Sequence, residues 1–164
     1  MDVVRGDLGS VDIEVGIVVA HYSEYVTNKL LEGAITGLKD HGISDDSITV
    51  VWVPGSFELP VMAQTMLEID NYDLIVCLGA VIRGETPHFE YVSQAAAMGI
   101  SRVGLDYGIP VIFGVLTTDN QDQAMERSGG NLGNKGRESA IAGLEMASAI
   151  RQLQEKQETV GEFE

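Results

Sequence analysis

Four short apolar runs in this chain each give way to residues able to do chemistry. His21-Tyr22-Ser23 follows the first run and Pro54-Gly55-Ser56-Phe57-Glu58 the second. The third leads into Arg83-Gly84-Glu85-Thr86-Pro87-His88-Phe89 and the fourth into Thr117-Thr118-Asp119. Aromatic faces stack on a flat heterocycle, and Glu58 can accept hydrogen bonds from amino or hydroxyl groups. Gly84-Glu85-Thr86 opens a helical pattern, where free backbone N–H groups and the helix dipole favour a phosphate and Thr86 adds a hydroxyl. Glu85 suits such a cradle only with its carboxylate turned away. His88, in the first turn, stands where an imidazole can move protons near neutral pH. Any one of these loops taken alone reads better as an ordinary polar connection. Their gathering at one edge of one sheet is what points to a site.

Other residues need no chemical role. His41 falls at a helix C-terminus, where a partly protonated imidazole suits the dipole. His21 ends an apolar run and faces either core or cleft. Cys77 is the only cysteine and sits in an apolar run, Leu74-Ile75-Val76-Cys77-Leu78, so it reads as a small buried hydrophobe. A single cysteine also excludes an internal disulfide and a cysteine-based zinc site. Gly130-Asn131-Leu132-Gly133-Asn134-Lys135-Gly136 follows no strand pattern and matches neither a dinucleotide fingerprint nor a P-loop. His88-Phe89-Glu90 mimics the H-x-E of zinc deaminases without the cysteines that chemistry needs.

The apolar runs themselves predict the elements that must carry these loops. Val15 to Ala20, Ile48 to Val53, Leu74 to Ile82 and Val111 to Leu116 are short, rich in Val and Ile, and continuously apolar. Strands buried on both faces of a parallel sheet read this way. Between them lie helical patterns. Val26, Leu30, Ala34, Ile35 and Leu38 mark one face of the first, which Gly42 ends. The second runs from about Ser56 to Asp70, with Pro60 in its first turn. The third runs from about Pro87 to Tyr107 and stops at Gly108. Asp119 reads as the N-cap of a short helix to about Arg127. The last helix begins near Asn134, with Ile141, Leu144, Ala147 and Ile150 along one face, and the acidic end from Glu155 to Glu164 is expected to fray. The first dozen residues read as an arm, and Val3 to Asp12 as a short strand able to add to a neighbouring copy. Alternating strands and helices imply right-handed crossovers and one α/β domain with helices on both faces of the sheet.

Composition limits the partners. A chain of 164 residues buries roughly 70% of the surface its unfolded form exposes, enough for a core without staples. Ten Lys and Arg against 25 Asp and Glu leave a net charge of −15, which repels nucleic-acid backbone and anionic lipid, so neither is an expected partner. A small anionic substrate remains compatible if a few cations converge on one cleft. No apolar run approaches the roughly 18 residues of a membrane span, and the first residues do not form a signal peptide, so the expected location is the cytoplasm.

Four motifs in order resemble one family across Gly16 to Ile150: Val53-Pro54-Gly55-Ser56-Phe57-Glu58-Leu59-Pro60; Gly79-Ala80-Val81-Ile82-Arg83-Gly84-Glu85-Thr86-Pro87-His88-Phe89; Pro110-Val111-Ile112-Phe113-Gly114; and Asn134-Lys135-Gly136. The family is 6,7-dimethyl-8-ribityllumazine synthase. The resemblance implies a three-layer α/β/α sandwich with a flavodoxin-like, four-stranded parallel sheet. It implies condensation of 5-amino-6-ribitylaminouracil with 3,4-dihydroxy-2-butanone 4-phosphate, giving the lumazine, phosphate and water, with no metal or organic cofactor. By the same resemblance Tyr22 would stack on the pyrimidine ring. Ser56, Phe57 and Glu58 would line the ring and ribityl pocket, and Ala80, Val81 and Ile82 would contact the ring. Glu85 and Thr86 would bind phosphate largely through backbone N–H groups, and His88 would transfer protons. Phe113, Arg127 and Lys135 would enter from an adjacent subunit, Arg127 holding the phosphate. The chain departs from the family pattern at Tyr22, where Phe is usual, so the added hydroxyl needs a polar partner. His21 stands where other members often carry Arg and is given no role.

A shared site implies a homo-oligomer. The family forms pentamers, some closed into sixty-subunit icosahedral shells, and the short turn from Gly129 to Asn134 favours the shell. Riboflavin synthase is a candidate partner. The nearest alternative is the related pentameric riboflavin synthase, disfavoured by the Pro-Gly-x-Phe-Glu and Arg-Gly-x-Thr-x-His motifs. A non-catalytic shell or flavin-binding member is a second, disfavoured by intact His88, Arg127 and Lys135.

Overall fold

The computed structural model describes residues 1–9 and 12–161. Four parallel strands, β1 (Val15–Ala20), β2 (Ile48–Val53), β3 (Leu74–Ile82) and β4 (Val111–Thr118), form a sheet in the order β2-β1-β3-β4. The period of two along each strand splits the core. Val15, Ile17 and Val19 of β1 join Leu74, Val76 and Leu78 of β3 under α1 (Glu24–Asp40) and α5 (Lys135–Gly161). Val18, Ile75 and Cys77 point the other way, under α2 (Leu59–Ile69) and α3 (His88–Tyr107). This is the expected three-layer α/β sandwich, and the reason the central runs are continuously apolar is that both faces are covered.

Burial on both faces holds for β1 and β3, the inner strands, whose residues are all buried except Ile82. It does not hold for β2, where only Val53 is fully buried and Trp52 is 40% exposed. An edge strand has one neighbour, and apolar composition does not say which strand takes the edge. The other edge strand, β4, is likewise part exposed and runs two residues further than its apolar run, to Thr118.

Helix ends follow local chemistry. α1 stops at His41, whose Nδ1 lies 2.7 Å from the Gly37 carbonyl, and Gly42 then takes φ +87°. α3 stops at Gly108 with φ +65°. Both torsions are left-handed, where glycine carries no Cβ penalty. The second helix does not start at Ser56: Ser56–Glu58 is a single 3-10 turn, and α2 begins at Leu59. The N-cap of α4 (Gln121–Arg127) is Asn120, whose Oδ1 accepts from the Gln123 amide at 2.9 Å, and not Asp119. A short antiparallel ribbon, β5 (Ser128–Gly130) and β6 (Gly133–Asn134), leads into α5.

Both chain ends differ from expectation. α5 continues through the acidic segment as far as Gly161, so Glu155 to Gly161 extends the helix; residues 162–164 lie outside the described residues. No strand occurs among the described residues of the arm. It runs back along α5 instead. The Asp7 amide donates to Ser148 Oγ at 3.1 Å, Gln152 Nε2 to the Arg5 carbonyl at 3.0 Å, and Lys156 pairs with Asp2 at 2.6 Å. Ser148, Gln152 and Lys156 are four residues apart and share one helix face.

Candidate active site

The first crossover, from β1 to β2, runs one way along the sheet, and the next returns past β1 to β3. Such a reversal opens a crevice at the carboxyl ends of the strands. There the His21 amide donates to the Val53 carbonyl at 2.8 Å and the Tyr22 amide to the Pro54 carbonyl at 3.0 Å, joining the loops after β1 and β2. Ser23 then turns the chain into α1 with φ +62° and ψ +45°. A non-glycine residue in the left-handed region is uncommon, and here it falls next to a candidate ligand-binding side chain. Tyr22 is left 73% exposed, so its hydroxyl can find its polar partner in water.

The loop after β2 is held by its own carboxylate: Glu58 Oε2 accepts from the Gly55 amide at 3.0 Å. Its Ser56 is buried against β3, where a Cβ at position 79 would collide with Ser56 Oγ. Gly79 therefore lets the 3-10 turn sit directly on the sheet. Phe57, in the same turn, stays 59% exposed.

Together these loops enclose a cleft of about 760 Å³. Tyr22, Ser56, Phe57, Glu58, Ala80, Val81, Ile82, Thr86 and His88 all line it, nine of the thirteen residues singled out from sequence. Tyr91 and Val92 also line it and were missed. They lie three and four residues after His88, on the same face of α3, so a helical projection from His88 would have found them.

Beyond Ile82, residues 83–87 form an open loop and α3 proper starts at His88. Among the described residues the amides of Gly84, Glu85 and Thr86 donate to no backbone carbonyl, which leaves donors for an anion. Glu85 is exposed on this loop and is not part of the cleft lining. Arg83 is drawn aside. Its Nε pairs with Asp119 at 3.0 Å, an N–H of its guanidinium with Glu90 at 3.2 Å, and it stacks over the Phe89 ring at 4.4 Å. Hydrogen bonds to the two carboxylates hold its pKa above the ordinary guanidinium value.

Phe113, Arg127 and Lys135 do not reach the cleft of their own chain. Phe113 lies on the edge strand β4 and is 38% exposed. Arg127 ends α4, donating to the Gln123 carbonyl at 3.1 Å, and Lys135 starts α5, paired with Glu138 at 2.9 Å. The site in one chain thus has ring-binding surfaces, a candidate proton carrier and free amides, but no uncommitted cation. Among the described residues no cluster of His, Cys, Asp or Glu could hold a metal, and no helix is long and apolar enough to cross a membrane.

A sequence model of 6,7-dimethyl-8-ribityllumazine synthase matches residues 12–151. The chain belongs to this lumazine synthase family. The 6,7-dimethyl-8-ribityllumazine synthases of two Clostridium kluyveri strains are each 49% identical to it over 154 residues, covering 94% of this chain and all of theirs. The lumazine synthase match takes in every candidate site residue, on both sides of the gap between the cleft and the Phe113, Arg127 and Lys135 group.

Proposed function

We propose that the cleft is one half of a composite active site for 6,7-dimethyl-8-ribityllumazine formation, completed by Phe113, Arg127 and Lys135 of a neighbouring copy. As a family member the chain is an enzyme of riboflavin biosynthesis, a transferase that condenses 5-amino-6-ribitylaminouracil with 3,4-dihydroxy-2-butanone 4-phosphate. The observation that carries the composite reading is the split itself: aromatic walls, Glu58 and His88 share one cleft, while Arg127 and Lys135, the cations fit for a phosphate, are not among the residues that line it.

In this reading Tyr22 and Phe57 flank the pyrimidine ring, with Ala80, Val81 and Ile82 as its floor. Glu58 receives ribityl hydroxyls with the oxygen its loop does not use. The amides of Glu85 and Thr86, with Arg127 across the interface, hold the butanone phosphate. The substrate amine attacks the ketone and a first water leaves, phosphate is eliminated, and the ribityl-bearing amine closes the ring onto the remaining carbonyl with loss of a second water. Each step moves a proton, a task an imidazole performs near neutral pH. Cations and oriented amides stabilise the departing phosphate. Holding two reactants in register supplies much of the acceleration.

In this reading the copies form a ring, each lending Phe113, Arg127 and Lys135 to the next through a heterologous contact whose rotation closes. We extend this to a cytoplasmic pentamer and, given the short β5–β6 turn, to a sixty-subunit shell with riboflavin synthase as a partner. The deciving assay incubates purified protein with both substrates and follows the lumazine by absorbance and fluorescence against the spontaneous background. Formation that stops when the butanone phosphate is omitted supports the reading. Folded, oligomeric protein that forms none, yet binds flavin, overturns it in favour of a binding or shell role.

A further inference from the structure

We propose that Asn134 is a positioning residue that sets where Arg127 and Lys135 stand for the phosphate end of the neighbouring copy's cleft. The inference rests on the composite-site reading and goes beyond it. Arg127 and Lys135 immediately flank the β5–β6 ribbon, in which Ser128 pairs with Asn134. The two cations therefore leave the ribbon side by side at its open end, and their spacing is the register of that pair. The ribbon has little stiffness of its own, since Gly129, Gly130 and Gly133 make up much of it and Gly129 has φ +119°. Something must tie it to the body of the fold.

The Asn134 carboxamide does so in three directions. Its Nδ2 donates to the Ser128 carbonyl at 3.2 Å, which holds the ribbon closed. The same nitrogen donates to the Lys29 carbonyl at 2.9 Å, which fastens the ribbon to α1. Its Oδ1 accepts from the Arg137 amide at 3.1 Å, which caps α5 just beyond Lys135. α1 is shaped to receive it: a Cβ at Gly33 would collide with the carboxamide. α1 is also the helix that begins two residues after Tyr22. One amide thus refers the lent cations to the same rigid frame that carries the ring platform. Positioning at this precision matters, because displacing a substrate-holding group by about 1 Å can cost on the order of a hundredfold in rate.

Two variants separate this role from simple helix capping. Asn134→Ser keeps an oxygen able to cap α5 but loses the Nδ2 that bridges the Lys29 and Ser128 carbonyls, and its shorter side chain with a single O–H cannot replace both bonds. Gly33→Ala leaves Asn134 intact, favours the helix by propensity and crowds the carboxamide from the other side. We expect each to raise the KM for the butanone phosphate about tenfold, the loss of roughly one hydrogen bond's worth of phosphate binding. The KM for the pyrimidine should stay within about twofold, and competition by inorganic phosphate should weaken in parallel, since neither substitution touches the ring pocket. A structural role alone would lower the melting temperature or the oligomeric fraction and leave the two KM values in their original ratio, and that result overturns the proposal. So does an unchanged KM in Gly33→Ala, which stays informative if Asn134→Ser does not assemble. Arg127→Ala and Lys135→Ala run alongside. If both leave the phosphate KM unchanged, the composite-site reading itself fails. If they raise it and the Asn134 and Gly33 variants do not, only the positioning role fails.

Discussion

His88 and Arg127 divide the proposed work between proton movement and charge stabilisation, and their substitutions should divide the kinetics in the same way. His88→Ala should lower kcat by on the order of a hundredfold with little change in either KM, since removing a general acid or base leaves orientation intact. Arg127→Ala should raise the KM for the butanone phosphate by roughly ten- to a hundredfold, the worth of a charge-assisted hydrogen bond, with the pyrimidine KM unmoved. Steady-state kinetics varying each substrate in turn checks both. Cys77 gives a third test at this scale. It is fully buried on β3, and burial pushes its thiol pKa up to about 12. The thiolate is the reactive form, so native protein at pH 8 should not react with an aromatic disulfide reagent over hours, and should react at once in guanidinium. Fast reaction in the native state would mean that the centre of the sheet opens. Tyr22, Phe57 and His88 were all legible from residue type and from their place after an apolar run. Tyr91 and Val92 were overlooked: their type alone does not tell a cleft from the core, and only their spacing of three and four residues from His88 on one helix face marks them.

Elements are held at the right distance by residues that lack side chains. α1 and α5 cross so closely that a Cβ at Gly136 would strike the Leu30 carbonyl, and Gly37 faces Arg137 and Ala140 across the same seam. Gly136→Ala should therefore force the helices apart despite the better helix propensity of alanine. Overpacking of this kind costs about 1–3 kcal/mol, and each kcal/mol lowers the midpoint by roughly 2–4 °C in a chain of this size. Thermal denaturation followed by circular dichroism measures it, and an unchanged or raised midpoint would mean that the seam yields. The four strands of the main sheet were legible to within two residues because continuous Val- and Ile-rich runs flanked by polar residues or Pro leave little choice, whereas the Gly-rich β5–β6 ribbon carries no apolar run to announce it. The exposure of β2 was not, because edge and centre differ in strand order and not in composition. Asn120 displaced Asp119 as the α4 cap because neighbouring Asx residues compete for the same amide, and the turn after β4 decides between them.

At the scale of the whole molecule, the proposed site is divided between neighbouring copies. Mixing supplies the test. His88→Ala and Arg127→Ala copies, each nearly inactive alone at low butanone phosphate, should regain activity when unfolded together and co-assembled. Around a heterologous ring, about a quarter of randomly mixed interfaces would join an intact His88 to an intact Arg127. No recovery from properly assembled mixtures would place both residues in one chain's site and overturn the composite reading. The net charge of −15 makes such assembly sensitive to ionic strength, so mixing and assay belong at one salt concentration.

What the sequence by itself determined is what depends on local periodicity and on side-chain type: four strands, their intervening helices, the loops that gather at one sheet edge, and the motifs that carry the family. The tertiary structure alone decided what depends on which segments meet. It set the strand order that exposes Trp52, and it laid the N-terminal arm along α5 where a strand was expected. It also brought Asn134 within hydrogen-bonding distance of Lys29, 105 residues away in the chain. Periodicity reports which face of an element is apolar, and it carries no information about the partner that covers that face.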